Sequence, residues 1–109
     1  MELHIKDRIF IPQLLPQQTK SFMDFNVKRE ILKKVVLTEE DKKDYNIEED
    51  SENRKITWDA EKDSNVPLVV EFTKDEVAML KRSCEHLSES AYPDDFWLTV
   101  EKIYELANE

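Results

Sequence analysis

Glycine is absent from the 109 residues of this chain. Loops that cradle phosphates and dinucleotide fingerprints need backbone that only glycine lets approach a ligand closely, so Walker- and Rossmann-type sites are excluded. Positions that need a left-handed backbone must fall instead to asparagine, and Asn46, Asn53 and Asn65 all lie between candidate elements. The one cysteine, Cys84, cannot form an intramolecular disulfide, and no basic-then-apolar leader precedes the first charges. A reducing cytoplasm is therefore the expected setting. No apolar run approaches the roughly 20 residues that a membrane span requires, so no membrane partner is expected.

What is present points to one folded unit. A hydrophobic share of 39% is modest beside a charged share of 38%, yet ten aromatic residues and clear periodicities argue against disorder. A chain of this length suits a single domain over residues 1–109, burying roughly two-thirds of its unfolded surface. The net charge of −9 is unevenly spread. Residues 1–37 hold seven Lys or Arg against four acids, or +3, while residues 38–109 hold nine against twenty-one, or −12. An acidic surface disfavours direct binding to a phosphate backbone and suits basic protein partners, or solubility alone.

The strongest local pattern lies at Pro67–Leu87. Leu68 to Phe72 is β-branched and aromatic, a short strand with Pro67 at its edge. Thr73-Lys74-Asp75-Glu76 then has the form of a capping box, and Val77, Leu80, Cys84 and Leu87 recur at steps of three, four and three. This predicts an amphipathic helix to about Ser88. Upstream, the apolar residues of 3–15 predict a short helix to about Phe10, broken at Pro12. A second helix is expected from Ser21, with Phe25, Leu32 and Val36 on a narrow inward arc and Val27, Ile31 and Val35 widening it. Lys28, Arg29, Lys33 and Lys34 form its solvated face. Thr38 caps a short third helix to about Tyr45, and the acidic run 48–52 with Lys55-Ile56-Thr57-Trp58 predicts a hairpin whose tip is near Glu52 and Asn53. Residues 59–66 read as polar connection, after which the 68–72 strand completes the sheet. Pro93, Asp94 and Asp95 open a final helix with Phe96, Val100, Ile103, Tyr104 and Ala107 inward. The expected class is α+β: four or five helices, two of them C-terminal, on a small antiparallel sheet of two or three strands.

The run Arg8-Ile9-Phe10-Ile11-Pro12-Gln13-Leu14-Leu15-Pro16 resembles the opening of a family of small proteins encoded in bacteriophage and prophage genomes. In that family an Arg, alternating apolar residues and a Pro-x-Leu-Leu-Pro element recur. In the same order, Leu37 to Glu40 resembles its second cap and Ile56-Thr57-Trp58 its Trp-bearing strand. Phe72 to Glu76 resembles its strand-to-helix junction, and Ile103-Tyr104-Glu105 its closing helix. The chain departs where the family tends to place glycine, with Thr19 and Lys20 after Pro16 and Val36 before Leu37. The resemblance implies a phage or prophage context and no mechanism, because the family has no established biochemical activity.

Chemistry is sparse. Cys84 and His86 are two apart on a helix and point about 200° away from each other, so they do not share a metal. Cys84 reads as a packed small hydrophobe and His4 as a solvated or partly buried histidine. Adjacent acids such as Glu39 with Glu40 point apart rather than into one cleft, and the 48–52 run lacks the ligand order and central glycine of a calcium loop. No enzyme activity, cofactor or metal is expected. The expected working surface is acidic: Glu39, Glu40, Asp41, Asp44, Glu48, Glu49, Asp50, Glu52, Asp59 and Glu61. Its expected partner is a host or viral protein rather than nucleic acid. Two alternatives stand beside this: an oligomeric assembly component using Phe22, Met23, Trp97 and Leu98, or a DNA mimic that occupies a basic nucleic-acid-binding groove.

Overall fold

The computed structural model of the chain describes every residue except 54, 88–91 and 109. In chain order the elements are β1 (Glu2–Leu3), α1 (Ile5–Leu14), α2 (Phe22–Val35), α3 (Glu39–Asp44), β2 (Glu48–Asp50), β3 (Lys55–Thr57), α4 (Ala60–Asn65), β4 (Leu68–Val69), α5 (Lys74–Glu85) and α6 (Asp94–Ala107). The class is α+β, as the sequence implies. The Cα radius of gyration, 14.2 Å, is close to the ~13 Å of one compact domain of this length.

Helix starts follow the local signals. Ser21, Thr38 and Thr73 each accept a hydrogen bond from the backbone N–H three residues on. At Thr38 and Thr73 the carboxylates of Asp41 and Glu76 return the bond to the cap N–H at 3.0 and 3.2 Å. The left-handed position falls to Asn46, whose φ of 51° lets the chain leave α3 and turn into β2. Among the described residues it alone has a positive φ.

Several elements depart from local expectation. Helix α1 does not break near Phe10 but runs through Pro12 to Leu14. Pro12 has no N–H to offer the Arg8 carbonyl, a cost of about 3 kcal/mol in a helix interior. Burial of Ile11, Leu14 and Leu15 against the rest of the chain offsets it, and Leu15 N–H still reaches the Ile11 carbonyl at 3.2 Å. In α2 the buried side chains are Ile31 and Val35, whereas Phe25 and Val36 are exposed, so the inward arc is rotated toward what the pattern placed at its edge. Residues 60–65, expected as connection, form α4, started by Asp59, whose carboxylate accepts from Lys62 N–H at 3.1 Å. Helix α5 ends at Glu85, and its expected end at Ser88 lies outside the described residues.

The strands form two separate antiparallel pairs rather than one sheet. Strand β4 does not join the hairpin; it pairs with β1, Glu2 opposite Val69 and Leu3 opposite Leu68. The Met1 ammonium and carbonyl extend this ladder by bonding the Val70 carbonyl and N–H, each at 2.9 Å. The pairing brings Leu3 and Val70 into the core beside Leu80, Phe96 and Ile103. Helices α5 and α6 pack together, with α2 against α5 and α1 against α6. Phe96 lies at their centre, stacked on Tyr92 at 4.3 Å and edge-on to Phe10 at 5.5 Å.

Candidate functional site

The acidic segment is assembled around Tyr45, which caps the C-terminus of α3 and is buried. Its hydroxyl donates to the Val66 carbonyl, its carbonyl accepts from Asp59 N–H at 2.7 Å, and the Lys62 ammonium lies 5.4 Å from its ring centre. Through its backbone and its ring together, this one residue joins the end of α3, the base of the β2–β3 hairpin and α4. Beyond that base the hairpin is unsupported by the core. All six strand residues, Glu48 to Asp50 and Lys55 to Thr57, are exposed. An isolated two-stranded ladder is only marginally stable, and here Asp50 braces the turn. Its carboxylate accepts from the Asn53 side-chain amide at 2.8 Å and from the N–H groups of Asn53 and Glu52, both at 3.2 Å. Those bonds, led by the Asn53 amide, hold the Asp50 carboxyl below its ordinary value.

The ten expected site acids divide by what they do. Asp41, Asp50 and Asp59 are structural acceptors, at a capping box, a turn and a helix start respectively. Burial works to raise the Asp41 carboxyl, yet hydrogen bonds from Arg8 and Thr38 outweigh it and the group sits below its ordinary value. Glu39 pairs within α3 with Lys42 at 3.5 Å. Glu40, Asp44, Glu48, Glu49, Glu52 and Glu61 are exposed and make no side-chain hydrogen bond or ion pair among the described residues. Register decides how the hairpin presents them. Side chains alternate along a strand, so Glu48 and Asp50 project on one side with Thr57 and Lys55 opposite, and Glu49 projects on the other with Ile56. The hairpin is acidic on both faces.

Packing accounts for the positions of Cys84 and His4. Cys84 is half-buried, with Sγ 3.7 Å from the Val100 carbonyl, and burial followed by the neighbouring Glu85 charge pushes its thiol up to about 11. His4 Nδ1 lies 3.3 Å from the Asp63 carbonyl oxygen. Among the described residues no three His, Cys, Asp or Glu side chains are grouped to hold a metal, and no helix is long and apolar enough to cross a membrane.

Two features escape the sequence reading. The first is a set of buried charges. Asp7 accepts from Thr99 at 2.9 Å and from Lys102 at 2.6 Å, both on α6, and from His4 N–H at 3.0 Å. Burial works to raise its carboxyl, but these bonds prevail and hold it below its ordinary value. Arg8 is enclosed beside it. Lys34, expected on a solvated face, instead turns to the buried carboxylate of Glu76 and the Glu71 carbonyl. A signal existed: Asp7, Ile11 and Leu14 recur at steps of four and three, and Arg8, Ile11 and Leu15 at steps of three and four. Charges on an apolar stripe are buried with it. The second is a groove of about 470 Å³ between residues 13–20 and α5, which no local pattern announces because its walls are far apart in sequence.

No family model matches this chain, and no curated protein or solved structure matches it either.

Proposed function

We propose that this is a non-enzymatic acidic interaction protein, encoded by a phage or prophage and working in a cytoplasm, that binds a basic surface of a host or viral protein through residues 39–61. The observation that carries the reading is the β2–β3 hairpin, which stands clear of the core with every strand residue exposed and acids on both faces. Carboxylates that make no internal pairing among the described residues keep their charge for complementary cations, which raises association rate and partner discrimination more than raw affinity. The phage or prophage origin is supported by the order of short sequence elements alone. The test is affinity capture from host lysate at low and physiological salt, with Glu48→Gln, Glu49→Gln and Glu52→Gln combined as control. A stoichiometric partner retained by the wild type and lost by the variant supports the reading; no partner at either salt overturns it.

A second reading, an oligomeric assembly component, draws on exposed apolar side chains. Phe22 and Met23 are 75% and 73% exposed at the start of α2, and Trp97 and Leu98 are exposed on α6. A strict monomer in sedimentation at high concentration removes it. The DNA-mimic version of the first reading needs carboxylates in rows on one face, and the strand alternation leaves only Glu48 and Asp50 in such a row on β2.

A further inference from the structure

We propose that the groove between residues 13–20 and α5 binds a small amphiphilic carboxylate, its apolar body on the core and its carboxylate at Arg82. The site is separate from the acidic hairpin and does not depend on the reading given to it. Its volume, about 470 Å³, lies within the ~300–1,000 Å³ of sites for drug-sized ligands.

The floor is made of core residues. Leu14, Leu15 and Met79 line the groove while belonging to the main hydrophobic cluster, and the half-buried Leu87 and Tyr92 form an apolar wall. An apolar body seated there leaves water for a surface continuous with the protein interior. The mouth has the opposite chemistry. Gln13, Gln17, Thr19 and Ser83 offer hydrogen-bonding groups, and among the described residues Lys20 and Arg82 place two cations there against one acid, Asp24. In a chain of net charge −9, this local excess of cations selects for an anion.

The same geometry favours a carboxylate over a phosphate. Arg82 is ion-paired with Asp24 at 3.9 Å, beyond hydrogen-bond length, and its guanidinium makes no hydrogen bond among the described residues. A carboxylate that takes up its planar fork in bidentate fashion would gain contacts the pair with Asp24 lacks. A phosphate dianion would want clustered backbone N–H donors, usually from a glycine-rich turn or a free helix N-terminus. The chain has no glycine, and at the start of α2 the Asp24 N–H is already held by the Ser21 hydroxyl at 3.1 Å. Helix α5 turns its C-terminal end, with Arg82, Ser83 and His86, toward the groove. The carbonyl dipoles of that end disfavour negative charge of any kind, so the single charge of a carboxylate, offset by Arg82 and Lys20, is opposed less than the double charge of a phosphate.

The experiment titrates the isotope-labelled full chain with octanoate, octanol and octyl phosphate, reading amide shifts by NMR and affinity by calorimetry. Octanoate should shift the amides of residues 13–20 and 79–87, and octanol should bind at least roughly tenfold more weakly. Arg82→Gln should weaken octanoate by a similar factor with an unchanged circular dichroism spectrum, Arg82→Lys should weaken it less, and Ser83→Trp should block the groove. No localised shifts with millimolar octanoate overturn the site. Octanol binding as well as octanoate, or an unaffected Arg82→Gln, overturns recognition by Arg82. Octyl phosphate binding more tightly than octanoate overturns the carboxylate assignment.

Discussion

Arg8 donates to the Asp41 carboxylate at 2.7 Å, and the same guanidinium donates to the carbonyls of Val35 and Val36 at 3.0 and 2.7 Å. One buried side chain of α1 therefore caps the C-terminus of α2 and braces the first turn of α3. The arginine that opens the run from Arg8 to Pro16 is a structural tie between three helices.

Replacing it tests that role. Arg8→Met removes the fork and leaves two carbonyls and the Asp41 carboxylate without their donor, a loss expected to cost about 3 kcal/mol. Arg8→Lys keeps the charge but not the planar fork, and should fall between the two. Urea denaturation followed by circular dichroism measures both, and a wild-type midpoint for Arg8→Met would contradict the tie.

Asp7 sets an acid sensitivity. Its carboxyl is held below the ordinary carboxylate value in the folded chain, so its contribution is fully present above the unfolded pKa of about 4. As pH falls from there through the lower folded value, the unfolded chain binds the proton first and the contribution is lost. Asp41 acts with the same sign. Asp7→Asn should therefore lower stability at pH 7 and flatten its decline in acid, read from urea midpoints between about pH 2 and 7.

Cys84 should be slow to react. With its thiol at about 11, only about one molecule in a thousand carries the thiolate at pH 8, against roughly a quarter for an unperturbed cysteine. Alkylation by iodoacetamide in the native state should be far slower than in urea and should accelerate as pH approaches 11. Native alkylation as fast as that of a free thiol peptide would contradict the packing assigned to Cys84.

The hairpin acids should be separable from stability. Glu48→Gln, Glu49→Gln and Glu52→Gln change exposed side chains that make no internal pairing among the described residues, so the urea midpoint should stay at the wild-type value. Asp50→Ala removes the acceptor that braces the turn. It should lower backbone amide protection in β2 and β3, read by hydrogen exchange, without altering that of α5 and α6.

The parts of this fold legible in the sequence are those governed by neighbours a few residues apart. Thr38 and Thr73 announce their capping boxes because donor and acceptor are three positions from each other, and the 48–57 hairpin is legible because its strands meet across a short turn. The acidic character of residues 39–61 is equally plain, since charge needs no partner to be counted. Local pattern did not reveal that Asp50 and Asp59 are occupied as structural acceptors while Glu48, Glu49 and Glu52 make no side-chain pairing among the described residues.

The remaining features depend on long-range packing. Leu68 and Val69 pair with Leu3 and Glu2 rather than with the hairpin, because strand pairing depends on which distant edge offers a matching row of donors and acceptors, and a single strand's sequence does not encode it. Pro12 stays within α1 because burying Ile11 and Leu14 outweighs a missing hydrogen bond. Asp7, Arg8 and Lys34 are turned inward because Lys102, Asp41 and Glu76 wait there, up to 95 positions away along the chain. Where helices begin and where charge accumulates follows from residues a few positions apart; which charges are buried, which strands meet and that a groove opens beside α5 follow from contacts between residues far apart along the chain.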